Sequence, residues 1–202
     1  MNRTLLTLTF CAAVVTGCSK KSSAPAAEPA APATPVEPAP VEAEAPAPPP
    51  PPAAKQATAT LAPTKKSKVT GTISFKEVEG GVEVTAAVEN LTPGDHAYHV
   101  HEKGDCSAPD ASSAGGHFNP GGHKHGAPDS EDRHEGDFGN LTAGKDGKAT
   151  KTFVMKGITL GDQPTSIAGK GFIVHEKADD FKTQPTGNAG GRVACGVIEL
   201  TP

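Results

Sequence analysis

Two neighbouring segments, Lys68 to Phe75 (KVTGTISF) and Gly81 to Asn90 (GVEVTAAVEN), alternate residue by residue between apolar and polar. Val69, Gly71, Ile73 and Phe75 stand against Thr70, Thr72 and Ser74, and Val82, Val84, Ala86 and Val88 against Glu83, Thr85, Ala87 and Glu89. A period of two fits a strand with one buried face, and Gly80-Gly81 between the runs reads as the turn of a hairpin. Further strand candidates are Asp95–His101, Lys148–Lys156, Gly171–His175 and Arg192–Leu200, and no stretch sustains the period of a helix. An all-β sandwich or barrel of about 140 residues follows. With no Trp and a single Tyr, Tyr98, its core has to rest on aliphatic side chains and a few Phe. The net charge of −4 leaves no basic footprint for nucleic acid.

The chain begins MNRTLLTLTFCAAVVTGCSKKSS. Arg3 gives a positive start, and Leu5 to Val15 is an apolar run too short to span a membrane stably. Val15-Thr16-Gly17-Cys18 resembles the lipobox of bacterial lipoproteins, in which cleavage before the cysteine exposes it for acylation. The alternative is an ordinary signal peptide that happens to end near a cysteine. Residues 1–17 are therefore expected to be a signal peptide, and the mature protein to be exported and lipid-anchored through Cys18 to the bacterial cell envelope, at its periplasmic or outer-membrane face. Ser19 after the cysteine points to the outer membrane in a Gram-negative source.

Most of the 20 prolines crowd between Pro25 and Pro63, among alanines and glutamates. Such a composition buries almost no apolar surface, so residues 18–64 are expected to form a lipidated, disordered or polyproline-like tether. The folded domain is then expected to begin at Lys65 and run to Pro202.

Inside that domain, Glu102 to Asn140 is almost devoid of apolar residues, and a loop of that length normally has a function or a staple. On a strand, His99 and His101 point to one face and form a chelating pair for a transition metal. An H-x-H pair is also compatible with an ordinary polar pair. His117, His125, His134 and Asp137 offer three nitrogens and one carboxylate, a closed tetrahedral set suited to zinc. A flexible histidine-rich loop with adventitious affinity is the other reading of the same run.

The segments HAYHVHEKGD, HFNP, KHGAP, RHEGDFGN, VHEKADD and GNAGGRVACGVI, in this order and spacing, resemble the copper/zinc superoxide dismutases from about Lys66 to Leu200. The resemblance implies an eight-stranded antiparallel Greek-key barrel, an immunoglobulin-like sandwich, with its metals outside the barrel between two long loops. It implies copper bound by His99, His101, His117 and His175, and zinc by His117, His125, His134 and Asp137, with His117 bridging. Asp179 matches the carboxylate that links a copper histidine to a zinc histidine. Arg192 and Thr186 match the walls of the substrate channel, and Cys106 and Cys195 match an intrachain disulfide. His96 corresponds to a structural histidine and His123 to no ligand.

The activity so implied is dismutation of superoxide by a copper redox centre, with His117 and Arg192 as its catalytic side chains and a structural zinc beside them. The alternative of another class is a non-catalytic surface module that binds or buffers copper. Retention of all the ligands and of Arg192 favours the enzyme. The stretch after His175, EKADDFKTQPTGNAGG, is shorter than in familiar eukaryotic members and lacks their Glu-Glu-x-x-Lys charge cluster, which leaves open whether Lys182 substitutes for it. A homodimer is one assembly open to the chain.

Overall fold

The computed structural model describes residues 54–202. The expected signal peptide, Cys18 and residues 18–53 of the expected tether lie outside them. Eight strands run in the order β1 (Gln56–Pro63), β2 (Thr70–Val78), β3 (Gly81–Glu89), β4 (Gly94–His101), β5 (Asp137–Ala143), β6 (Ala149–Met155), β7 (Gly171–His175) and β8 (Arg192–Thr201), with one short 3-10 turn at Ser112–Ala114. They form one antiparallel sheet in the spatial order β5-β4-β7-β8-β1-β2-β3-β6, curled into a nearly closed barrel. The seam lies between β5 and β6, where the Lys151 ammonium donates to the Asn140 carbonyl at 3.0 Å. The eight-stranded all-β expectation therefore holds.

The β2–β3 hairpin turns where expected, with Val78 paired to Gly81 and Gly80 at φ +85°, a left-handed conformation that only glycine adopts without strain. The inward side chains of the alternating runs, Ile73, Phe75, Val82, Val84, Ala86 and Val88, are all buried. Tyr98, Phe138 and Phe172 add a centre of tilted and edge-on aromatic contacts, their ring centroids 5.7–6.1 Å apart.

Two elements depart from expectation. β1 lies within the segment expected to be tether, yet it sits in the middle of the sheet, paired with β2 on one side and β8 on the other. Its sequence QATATLAP alternates as well, burying Ala57, Ala59 and Leu61. Its apolar positions are mostly alanine, so composition merges it with the Ala/Pro-rich stretch before it. The domain therefore begins before Gln56 and not at Lys65. β5 occupies the end of the expected long loop and the residues just beyond it. DFGNLTA is buried almost continuously on both faces and so shows no alternation.

Cys106 and Cys195 form a disulfide with their Cα atoms 5.8 Å apart and a sequence separation of 89. It ties the start of the long loop to β8. Closing a loop of that size removes about 4–5 kcal/mol of chain entropy from the unfolded state. Cys106→Ser and Cys195→Ser should each lower the thermal midpoint markedly, and the double variant should melt no lower than either single one. Thermal unfolding followed by circular dichroism checks this, and additive losses would mean that the two side chains act separately.

Candidate metal centre

β4 carries His99 and His101 on its outward face, and both are fully buried because the long loop folds back over that face. The return is a backbone clasp: Phe118 N–H donates to the Val100 carbonyl at 2.8 Å, Val100 N–H to Gly136 at 3.0 Å, and Gly136 N–H to Phe118 at 2.9 Å. The clasp sets His117 opposite His101 in an isolated antiparallel bridge. β7 ends at His175 beside them, paired with Arg192 at the start of β8. His99, His101, His117 and His175 thus converge, and so do His117, His125, His134 and Asp137, with the ligand-capable atoms of each set within 4.8 Å of one another. His117 belongs to both.

The hydrogen bonds decide which nitrogen of each ring is free. His99 Nε2–H donates to Asp179 Oδ2 at 2.8 Å, and His101 Nδ1–H to the Gly115 carbonyl at 2.9 Å. His117 Nδ1–H donates to Asp137 Oδ1, and His125 Nε2–H to Asp179 Oδ1, both at 2.8 Å. The remaining atoms, His99 Nδ1, His101 Nε2, His117 Nε2, both nitrogens of His175 and His125 Nδ1, are buried without a hydrogen-bond partner. His125 Nδ1 lies 2.9 Å from Asp137 Oδ1, but without the angle of a hydrogen bond. A protein does not leave so many polar atoms unpaired in one place at no cost, and a metal ion is the partner that satisfies them. One set is all imidazole and the other is three imidazoles and a carboxylate, so the donors fit a copper site and a tetrahedral zinc site respectively.

The electrostatics agree. Burial, and then the neighbouring imidazoles, hold His101 and His175 far below the ordinary histidine value, and burial holds His117 at about 4. These rings are neutral at physiological pH and keep their lone pairs. Burial opposes ionisation of Asp137 and Asp179, but hydrogen bonds from the surrounding histidines outweigh it and keep both carboxyls well below the usual carboxylate range. Burial also works against charge on His125, yet Asp137 and Asp179 together raise it to about 9. A raised histidine stabilises the fold below its unfolded value near 6.5, and that contribution is lost as the pH rises through 9. The depressed carboxyls act in the opposite sense, stabilising above their unfolded values and losing that contribution on acidification. The thermal midpoint of metal-free protein should therefore fall between pH 7 and 10, and His125→Gln should remove most of that fall. A flat profile in the unmodified protein would refute the charged His125.

Asp179 joins the two sets, one oxygen on His99 and the other on His125. It is itself positioned by two residues that give no sequence signal. Asn140 accepts the Asp179 N–H at 2.7 Å and donates to its carbonyl at 3.0 Å, and Phe181 N–H donates to Asp179 Oδ1 at 2.7 Å. Gly187, at φ +66°, passes so close that a Cβ there would collide with the Asp179 carboxylate. Gln184 clasps the His125 backbone from both sides, accepting its N–H at 2.8 Å and donating to its carbonyl at 2.9 Å.

The Arg192 guanidinium is fixed by donation to the Ala111 and Gly115 carbonyls, both at 2.6 Å, inside the loop that the disulfide anchors. Gly115 thus orients His101 and Arg192 with one oxygen. Thr186 is exposed in the turn after Gln184, and it does not line the cleft into which Arg192 opens. His96 bonds the His175 carbonyl at 2.9 Å and the Thr92 carbonyl at 2.8 Å, a bracing role, while His123 is exposed and outside both sets.

The family model for copper/zinc superoxide dismutase (SODC) matches residues 69–198. Among solved structures, the chain is similar to that of the clock protein EA4, at 40% identity, with a TM-score of 0.67, over 72% of this chain and 94% of that one. The two converging donor sets, the barrel and a family match that spans nearly all of the described domain lead to one conclusion: the chain belongs to the copper/zinc superoxide dismutase family, with copper and zinc as its metals.

Proposed function

We propose that the protein is a working dismutase that converts two superoxide anions and two protons to dioxygen and hydrogen peroxide. The observation that carries this reading is the position of His117, whose Nδ1 faces the carboxylate-containing set and whose unpaired Nε2 faces the all-imidazole set. We assign copper to His99, His101, His117 and His175, because four nitrogen donors suit a metal that cycles between two oxidation states. Zinc goes to His117, His125, His134 and Asp137, and the hydrogen bonds of Asp179 hold the rings of both sites in register. Copper bound there supplies the one-electron couple that oxidises one superoxide and reduces the next, while zinc supplies fixed charge without redox chemistry.

The chain's own residues do the rest. Arg192, locked by two carbonyls, presents a fixed positive charge to an arriving anion. His117 is placed to hold a proton at Nε2 beside the reacting anion while its Nδ1 stays toward Asp137. The Cys106–Cys195 disulfide supports an oxidising compartment, consistent with export and with acylation at Cys18. The test is metal content of the purified protein together with superoxide consumption followed by pulse radiolysis. One copper and one zinc per chain with rapid consumption is the expected result. Both metals bound without consumption would favour a copper-binding module instead.

A further inference from the structure

A cleft of about 680 Å³ opens beside Arg192, floored by Gly191, Arg192 and Val193 of the β8 end and walled by the disulfide loop. Its third wall is the β1–β2 turn, which brings Lys65 and Lys66 to the rim. That turn is held firmly in place. Thr64 donates from its hydroxyl to the Arg192 carbonyl at 2.9 Å and from its N–H to Val193 at 3.1 Å, and Lys65 N–H donates to Pro109 at 2.8 Å. The two ammonium groups are thus carried on a segment bonded directly to the backbone of Arg192.

The cleft holds three cations, Lys65, Lys66 and Arg192, against two carboxylates, Asp110 and Glu176. Among the described residues, none of the three cations is in an ion pair within 4.0 Å. A locally positive, concave wall on a protein of net charge −4 focuses anions toward its base. Lys182, by contrast, is exposed on the turn after Asp180 and does not line this cleft.

We propose that Lys65 and Lys66 form an anion-collecting rim that delivers small inorganic anions to Arg192. Superoxide as the anion delivered rests on the dismutase reading above. The charge cluster missing after His175 is thereby supplied from β1–β2, a part of the chain far from it in sequence.

A unit charge about 10 Å from the approach path in water changes anion encounter about twofold, and salt screens that effect. In the full-length, copper- and zinc-loaded protein, Lys65→Ser with Lys66→Ser should lower the superoxide rate constant about fourfold at low ionic strength. Reversal of both charges to Glu should lower it more than tenfold. All the curves should converge at high salt, and Lys182→Ser should track the unmodified protein. A second readout does not depend on turnover: titration with inorganic phosphate, followed by the NMR shift of the Arg192 side-chain N–H. The double Ser variant should bind phosphate severalfold more weakly, with metal content unchanged. If the unmodified protein consumed no superoxide but this weakening remained, the dismutase reading would fall and the anion rim would stand. Unchanged phosphate affinity in the double variant, or a salt slope lost only on replacing Lys182, would overturn the rim.

Discussion

His117→Ala should empty both metal sites and abolish superoxide consumption, the largest effect expected of any single side chain in this protein. The other donors each belong to one set, so His134→Ala should chiefly cost zinc and His101→Ala chiefly copper. His117 alone contributes to both, with Nδ1 2.8 Å from Asp137 and Nε2 buried among His99, His101 and His175. Its loss removes one of four donors at each site and opens a void between them. Metal analysis by mass spectrometry, beside a dismutase assay, reads both consequences. Full stoichiometry of copper and zinc in His117→Ala would show that the shared assignment is wrong.

A chain beginning at Lys65 should not fold, whereas one beginning at Ala54 should. Deleting β1 takes the central strand out of the sheet and leaves the facing ladders of β2 and β8 unpaired along their lengths. It also exposes core that Ala57, Ala59 and Leu61 now cover, about 3–4 kcal/mol of apolar burial before the lost backbone pairing is counted. Against a domain stability on the order of 5–15 kcal/mol, the combined loss is decisive. The shorter chain should be insoluble or melt without cooperativity by circular dichroism. A soluble, cooperatively melting product would show that β1 is dispensable.

That second expectation reverses what composition implies, and the reason is instructive. The alternation of valines and isoleucines in β2 and β3 is visible because bulky residues mark the inward positions. In β1 the same geometry is met by alanines, which bury little area and blend into an Ala/Pro background. The ligand residues were legible for a related reason: histidine is rare, and the i, i+2 rule alone puts His99 and His101 together. Asn140 and Gln184 were not legible, because their work is done on backbone groups of Asp179 and His125. Such bonds depend on where two distant loops meet, which no local pattern encodes. Lys65 and Lys66 likewise read as an ordinary polar turn until the fold brings them to Arg192.

The direction of β1 sets how far its first residue lies from the cleft beside Arg192. Gln56 pairs with Thr201 near the C-terminus, while Pro63 pairs with Ala194, next to Arg192. Seven residue steps at roughly 3.3 Å separate these ends, a distance of about 23 Å along the barrel. Gln56 therefore lies at the rear of the barrel, and the cleft beside Arg192 opens at the front. A bulky group fused directly before Ala54 should therefore leave the cleft beside Arg192 uncovered, because about 23 Å of barrel separates the two.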